Sequence, residues 1–149
     1  MTTPTVSVLA EDAVPARPLS ITMGLGARAG PGRSARREAD GTWWRAEQGA
    51  GGPVALEVRP SGERLILRVH GNPSTPAPEV DAALRSARAW AGLDDELSGF
   101  ADLVVGHPVL RRLMTRLGPP VLGVLPRASE AFGIALLHQR VQGAEAARS

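Results

Sequence analysis

The chain has 149 residues, 43% of them hydrophobic, and is long enough for one well-packed domain or two small ones. It has no cysteine, which excludes a disulfide framework, a cysteine-ligated zinc site and an iron–sulfur cluster within these residues. The 17 basic residues, all arginine, and the 15 acidic residues leave a net charge of +2. This charge gives only weak support for a nucleic-acid partner.

The first part of the chain carries few signals of regular structure. It has neither a basic leader nor a long apolar run, so we expect a cytoplasmic protein without a signal peptide or a membrane span. Residues 1–17 show no sustained hydrophobic period and are interpreted as a flexible lead-in. Residues 18–23 alternate between apolar and polar side chains and end at Gly24, which predicts a short strand.

Three further strands are predicted before any helix. The first covers residues 42–46, where Trp43 and Trp44 should point to opposite faces of a sheet. Clean alternation then predicts strands over residues 54–60 and 65–71, joined by a short turn. Two strands joined by a short turn form a β-hairpin, so the pairing is predicted to be antiparallel.

Two polar features of this region have ordinary structural interpretations. An arginine beside a tryptophan can stack on nucleic-acid bases, but we favour a hairpin edge for Trp44 and Arg45. His70 stands at a strand end with no second histidine or acid at ligand spacing, and we expect it to be a surface residue.

Helical periodicity begins after a proline-rich linker over residues 72–78. One stripe of the predicted helix collects its apolar side chains, which are those of Val80, Ala83, Leu84, Ala87 and Trp90. Residues 18–91 are therefore predicted to form an antiparallel sheet with a covering helix, the first part of an α+β fold.

Residues 92–149 are predicted to be helical throughout. Ser98 is a suitable N-cap for a short helix, and a longer helix begins with Pro108 at its first position and ends at Gly118. The longer helix has an apolar stripe formed by Val109, Leu110, Leu113, Met114 and Leu117. On its other side lie Arg111, Arg112 and Arg116, for which a solvated face is favoured over contact with phosphates.

A final helix is predicted from Arg127 onward. Its apolar side chains at core spacing are those of Ala128, Ala131, Phe132, Ala135 and Leu136. It ends on two polar residues, Gln139 and Arg140, followed by Gly143. A further helical pattern starts at Ala144 and continues to the last residues of the sequence.

Short motifs of the second half follow one another in a characteristic order. They are Gly92-Leu93-Asp94-Asp95, Gly99-Phe100, His107-Pro108-x-Leu110-Arg111-x-Leu113, Pro126-x-x-x-Glu130-Ala131 and Leu137-x-Gln139-Arg140-Val141-x-Gly143-x-Glu145-Ala146. This order resembles the DNA-3-methyladenine glycosylase II family, a branch of the helix-hairpin-helix DNA glycosylases. The resemblance is best over residues 92–149 and weaker over 17–91, where that family has an antiparallel sheet with a covering helix.

The resemblance implies base excision repair of double-stranded DNA by a protein that needs no metal or other cofactor. An alkylated base of the 3-methyladenine type is extruded and its N-glycosidic bond is hydrolysed. The family pattern places the residues that fill the resulting gap at Gln139 and Arg140, with Gly143 in the following DNA-facing loop. Glutamine offers a donor and an acceptor to the orphaned base, and arginine can stack or donate. We expect a monomer.

The resemblance covers only the N-terminal portion of the family. Its helix-hairpin-helix and catalytic aspartate belong beyond residue 149, so no residue here is assigned a catalytic role. Asp94, Asp95 and Asp102 occupy linker and helix-start positions, where aspartate is favoured for structural reasons. The all-α glycosylase domain is thus expected to be truncated and the chain alone inactive. The alternatives are a non-catalytic DNA-binding or accessory protein and an unstable truncated gene product.

Overall fold

The computed structural model describes residues 6–16, 35–97 and 99–119, and the single helical residues Ala128, Phe132, Ala135 and Leu136. The elements of this part of the chain are strands β1 Ser7–Pro15, β2 Ala35–Arg37, β3 Trp43–Gly49, β4 Gly52–Ser61 and β5 Arg64–Gly71, and helices α1 Ala77–Trp90, α2 Phe100–Leu103 and α3 Pro108–Leu117. The five strands form one antiparallel sheet in the order β1-β5-β4-β3-β2. The predicted α+β fold is confirmed.

The β4–β5 hairpin forms as its alternating sequence predicts. The last pair of the ladder is Ser61 with Arg64, which leaves a two-residue turn. Gly62 takes a φ of 59° in this turn, a left-handed conformation that suits hairpin turns and favours glycine. The hairpin supplies the two central strands of the sheet, so its apolar faces form the middle of the core.

The first strand corrects the prediction of a flexible lead-in over residues 1–17, which is wrong for Ser7–Pro15. β1 pairs with β5 along the whole length of both strands and forms one edge of the sheet. A β-bulge between Val8 and Ala10 shifts the register by one residue. Because the bulge breaks the period of two, the alternation that identifies a strand is absent from the sequence.

Two other sequence features of this region have different outcomes. The short strand β2 was not predicted, since three residues are too few to show a period. The strand predicted over residues 18–23 lies outside the described residues.

The hydrophobic core lies between one face of the sheet and α1. Its largest fully buried side chains are those of Trp90, Leu56, Leu65, Leu67, Val58 and Val69. Four of the five apolar residues predicted for the helix are buried, and Leu84 is half-buried and packed against the core. The covering helix and its apolar stripe are therefore confirmed.

A direct contact fixes the start of α1 on the sheet. The backbone N–H of Gly51, in the β3–β4 turn, donates to the carboxylate of Glu79 at 2.5 Å. A Cβ atom at Gly51 would lie 2.9 Å from that carboxylate and 3.1 Å from the ring of Pro76. The close approach therefore requires glycine at this position.

Two charged residues of β3 lie on the face of the sheet that packs against α1. Arg45 is 2% exposed and its Nε lies 3.5 Å from Oε1 of Glu47. Ser86 of α1 donates its hydroxyl to the same carboxylate oxygen at 2.6 Å. The Arg45 guanidinium also lies over the ring of Trp90, 5.8 Å from its centroid. A polar group thus connects the sheet to the covering helix inside the core.

The two helices after α1 begin and end close to the predicted positions. α2 has Gly99 as its N-cap, so the prediction that Ser98 would cap it is wrong. α3 begins at Pro108 after an extended His107, and Gly118 ends it with a φ of 75°, as predicted. None of the helices in the described part of the chain is both long enough and apolar enough to cross a membrane.

The apolar side chains of the second half are not buried. No residue of α3 is buried, and the exposed fractions of Val109 and Leu113 are 70% and 46%. In the predicted final helix, Phe132 and Leu136 are 70% and 53% exposed, and Ala128 and Ala135 are exposed too. The interpretation of these last four residues as core is wrong, because no described residue packs over them.

Candidate nucleic-acid interface

The residues predicted to face DNA are Gln139, Arg140 and Gly143, and all three lie outside the described residues. The nearest described position is Leu136, which is helical and exposed, as the predicted apolar helix before this loop requires of its last turns. The assignment of the three residues to a DNA-facing loop therefore stays a prediction.

The described residue set contains one unpaired basic face. Arg111, Arg112 and Arg116 of α3 are exposed. No described carboxylate lies within ion-pair distance of them, whereas Arg36 and Arg68 each have such a partner. The three arginines therefore keep their charge available to an external anion or an acidic protein surface.

The face of the sheet opposite α1 carries a cluster of polar and aromatic side chains. We call Trp44, Glu57, Arg68 and His70 the outer-face cluster. Glu57 is only 5% exposed. Its Oε2 lies 2.7 Å from Nε2 of His70, and its Oε1 lies 3.5 Å from Nη1 of Arg68. The rings of Trp44 and His70 are 5.0 Å apart and tilted by 49°, so both lean over β4 and shield the carboxylate.

The outer-face cluster corrects the expectation for His70. The histidine is half-buried and paired with an acid, although the sequence predicted an isolated surface residue. The hairpin register explains the contact, because Ala55 pairs with His70 and Glu57 pairs with Arg68 on the same face. The signal was present in the sequence: counting pairs outward from the turn at Gly62 brings positions 57 and 70 together.

The charges of this face are balanced within the fold. A hydrogen bond from Arg68 to Glu11, at 2.5 Å, raises the pKa of the guanidinium, and the charges of Glu11 and Glu57 add to this. Arg59 lies 3.5 Å from Glu57 on the other side. Two carboxylates therefore face two guanidinium groups, which leaves no excess charge for an anion beyond that of a protonated His70.

The same cluster has no arrangement suited to catalysis. Both oxygens of Glu57 already contact His70 or an arginine, so the carboxylate is not free to act as a general base. Over the described ranges, no three His, Cys, Asp or Glu side chains are placed to hold a metal ion. We interpret the outer-face cluster as a structural ion-pair network.

Asp94 likewise has a structural partner. The Arg88 guanidinium lies 3.1 Å from Asp94 and 2.9 Å from Asp12, so it connects α1 with the following segment and with β1. Burial lowers the pKa of Arg88, but the hydrogen bonds to both carboxylates outweigh it and the net pKa is raised. Asp94 therefore serves the packing of α1, in agreement with its interpretation as a linker residue.

Comparison with known proteins supports the fold. No protein-family model matches the chain, and no curated protein matches it. Among solved structures, a 3-methyladenine DNA-glycosylase from Archaeoglobus fulgidus is similar, with a TM-score of 0.63 and 21% sequence identity. The match covers 93% of this chain and 47% of the glycosylase chain, so the present chain spans about half the length of that protein. The chain has a glycosylase-like fold.

Proposed function

We propose that the chain is the N-terminal part of a DNA glycosylase of base excision repair that removes alkylated purines of the 3-methyladenine type. The observation that carries this proposal is the similarity of fold to a 3-methyladenine DNA-glycosylase over 93% of the chain. The order of motifs in residues 92–149 supports it independently, because the resemblance rests on sequence and the comparison on structure.

The sheet and α1 act as a scaffold in this proposal. Their polar groups are paired with one another, both under α1 at Glu47 and on the outer face at Glu57. Such pairs hold the sheet together and leave few groups available to a ligand. The unit begins with β1 at Ser7, and its boundary with the helical part at residue 92 is part of the proposal.

The loop with Gln139, Arg140 and Gly143 is assigned the contact with DNA. Extruding a base costs a few kcal/mol of stacking and pairing, and less for a damaged base. The amide of Gln139 can donate to and accept from the orphaned base, while the planar guanidinium of Arg140 can stack in the gap. Gly143 allows the backbone to approach a phosphate closely.

The proposed chemistry requires a group that this chain does not contribute. In the family, an aspartate stabilises the positive charge that develops on the sugar while water attacks. The described carboxylates Glu57 and Asp94 are held in ion pairs. We therefore expect no release of methylated adenine by the 149-residue chain alone.

The Arg140→Ala variant tests the proposed DNA contact. The protein should bind a duplex that contains an abasic-site analogue more tightly than an intact duplex, and the substitution should weaken binding to the first about tenfold, as loss of one base contact does. Fluorescence anisotropy at two salt concentrations measures this, because phosphate contacts alone produce salt dependence without preference for the gap.

The matched control is Arg85→Ala, which removes the same charge from an exposed position on α1. An equal loss of affinity in both variants would overturn the assignment of Arg140. Binding that falls only with Arg140→Ala but does not distinguish the two duplexes would favour the alternative, a non-catalytic DNA-binding protein. Release of methylated adenine by the chain alone would contradict the expected inactivity.

A further inference from the structure

The strongest unexplained surface of the molecule is the apolar side of α3. Val109, Leu113 and Leu117 follow one another at intervals of four residues, and the exposed fractions of the first and last are 70% and 45%. Leu110 lies beside them and is 43% exposed. Contiguous exposed apolar side chains of this kind mark an interaction surface in a folded protein. We call these four residues the α3 stripe.

Arginines border the α3 stripe on both sides. At about 3.6 residues per turn, Arg112 follows Val109 and Arg116 follows Leu113 by three positions, so the two arginines lie along one border. Arg111 lies along the other border. The segment Pro108–Leu117 contains no acidic residue. A partner that covers the stripe therefore meets positive charge at both of its edges.

The charge pattern excludes the simplest occupant, which is α3 of a second copy. Two α3 helices packed stripe to stripe would bring Arg112 and Arg116 of one copy close to the arginines of the other, with no carboxylate on either helix. Like charges at a helix–helix contact oppose association. The described residues of the last predicted helix do not cover the stripe either, since Phe132 and Leu136 are themselves exposed.

We propose that the α3 stripe docks an amphipathic helix with acidic residues at the edges of its apolar face, supplied by the half of the glycosylase fold that this chain does not span. The inference rests on the proposed function. Its support is that the similar glycosylase is about twice as long as the matched region, with 47% of its chain covered. The apolar contact supplies the affinity and the arginine borders select the partner.

A designed peptide provides the probe. It is a helix with a leucine stripe bordered by glutamates, and a second peptide has lysines in place of the glutamates. The full 149-residue chain should bind the glutamate peptide and discriminate against the lysine peptide by at least tenfold in isothermal titration calorimetry, since like charges border the stripe in the second case. The assay contains no DNA, so its failure is separate from failure of the DNA-binding proposal.

Two variants make the test specific to α3. Leu113→Ser should weaken binding of the glutamate peptide about tenfold, because one leucine contact is lost. The double variant Arg112→Glu and Arg116→Glu should reverse the preference toward the lysine peptide. Arg85→Glu on α1 serves as the control and should leave the preference unchanged. All four positions are exposed or half-exposed, so a circular dichroism melt should show the same folded core.

Three results would overturn the proposal. The first is equal binding of both peptides, since it would show that the arginine borders select nothing. The second is the absence of binding by either peptide. The third is self-association of the chain through this surface, measured by sedimentation and abolished by Leu113→Ser, because the occupant would then be a second copy.

Discussion

Replacing Trp90 by alanine is expected to lower the free energy of unfolding by about 3–5 kcal/mol, the usual cost of removing a large buried aromatic side chain. Trp90 is the last residue of α1 and is fully buried against the sheet. Its ring also lies against the guanidinium of Arg45, so the substitution removes apolar packing and a cation–π contact together. Urea denaturation followed by circular dichroism measures the loss.

Trp44→Ala is the matched control for this experiment. The same side chain is removed from the adjacent strand, but Trp44 is half-buried on the outer face and loses mainly its contact with His70. We expect a cost less than half that of Trp90→Ala. Equal midpoints for the Trp90→Ala variant and the wild type would contradict the packing of α1 described here, and the prediction would be wrong.

The sheet and its covering helix could be predicted because their periods are unbroken. Leu65, Leu67 and Val69 alternate with polar neighbours, and Ala83, Ala87 and Trp90 repeat at helical spacing. Burial of the whole apolar set on one face enforces each pattern, so sequence and packing agree.

The elements that escaped prediction lack such a pattern for identifiable reasons. The bulge between Val8 and Ala10 moves the side chains of β1 from one face to the other. In β3, the charges of Arg45 and Glu47 stand on the core-facing side, where alternation predicts apolar residues. Pairing between strands stabilises both segments, and that pairing is not visible in either segment alone.

The candidate site shows a different limit. The amphipathic character of α3 follows from its sequence, but the exposure of Leu110 and Leu113 depends on which segments lie nearby. Likewise, the contact between Glu57 and His70 required a register, although that register could have been counted from the turn. The DNA-facing loop at Gln139 and Arg140 rests on the order of motifs, so its test is the binding experiment.

The buried ion pair of β3 leads to the second large effect on stability. Glu47→Leu is expected to lower the free energy of unfolding by about 3–5 kcal/mol, because it removes the carboxylate that faces the buried charge of Arg45. The hydroxyl of Ser86 loses its acceptor at the same time. A change made on the surface of the same strand, Gln48→Leu, should cost much less, since the interactions of its exposed fraction compete with water.

The double variant Arg45→Met and Glu47→Leu should recover most of the lost stability. Both charges are then absent, and methionine fills the space beside Trp90 with an unbranched apolar chain that can contact the ring through its sulfur. Buried ion pairs replaced by apolar side chains of similar volume are often neutral or stabilising, because the cost of removing two charges from water disappears. Urea midpoints of the two single variants, the double variant and the wild type complete a double-mutant cycle. If the double variant is as unstable as the sum of the two single variants, the two residues are not coupled, and the structural account of the group under α1 is wrong.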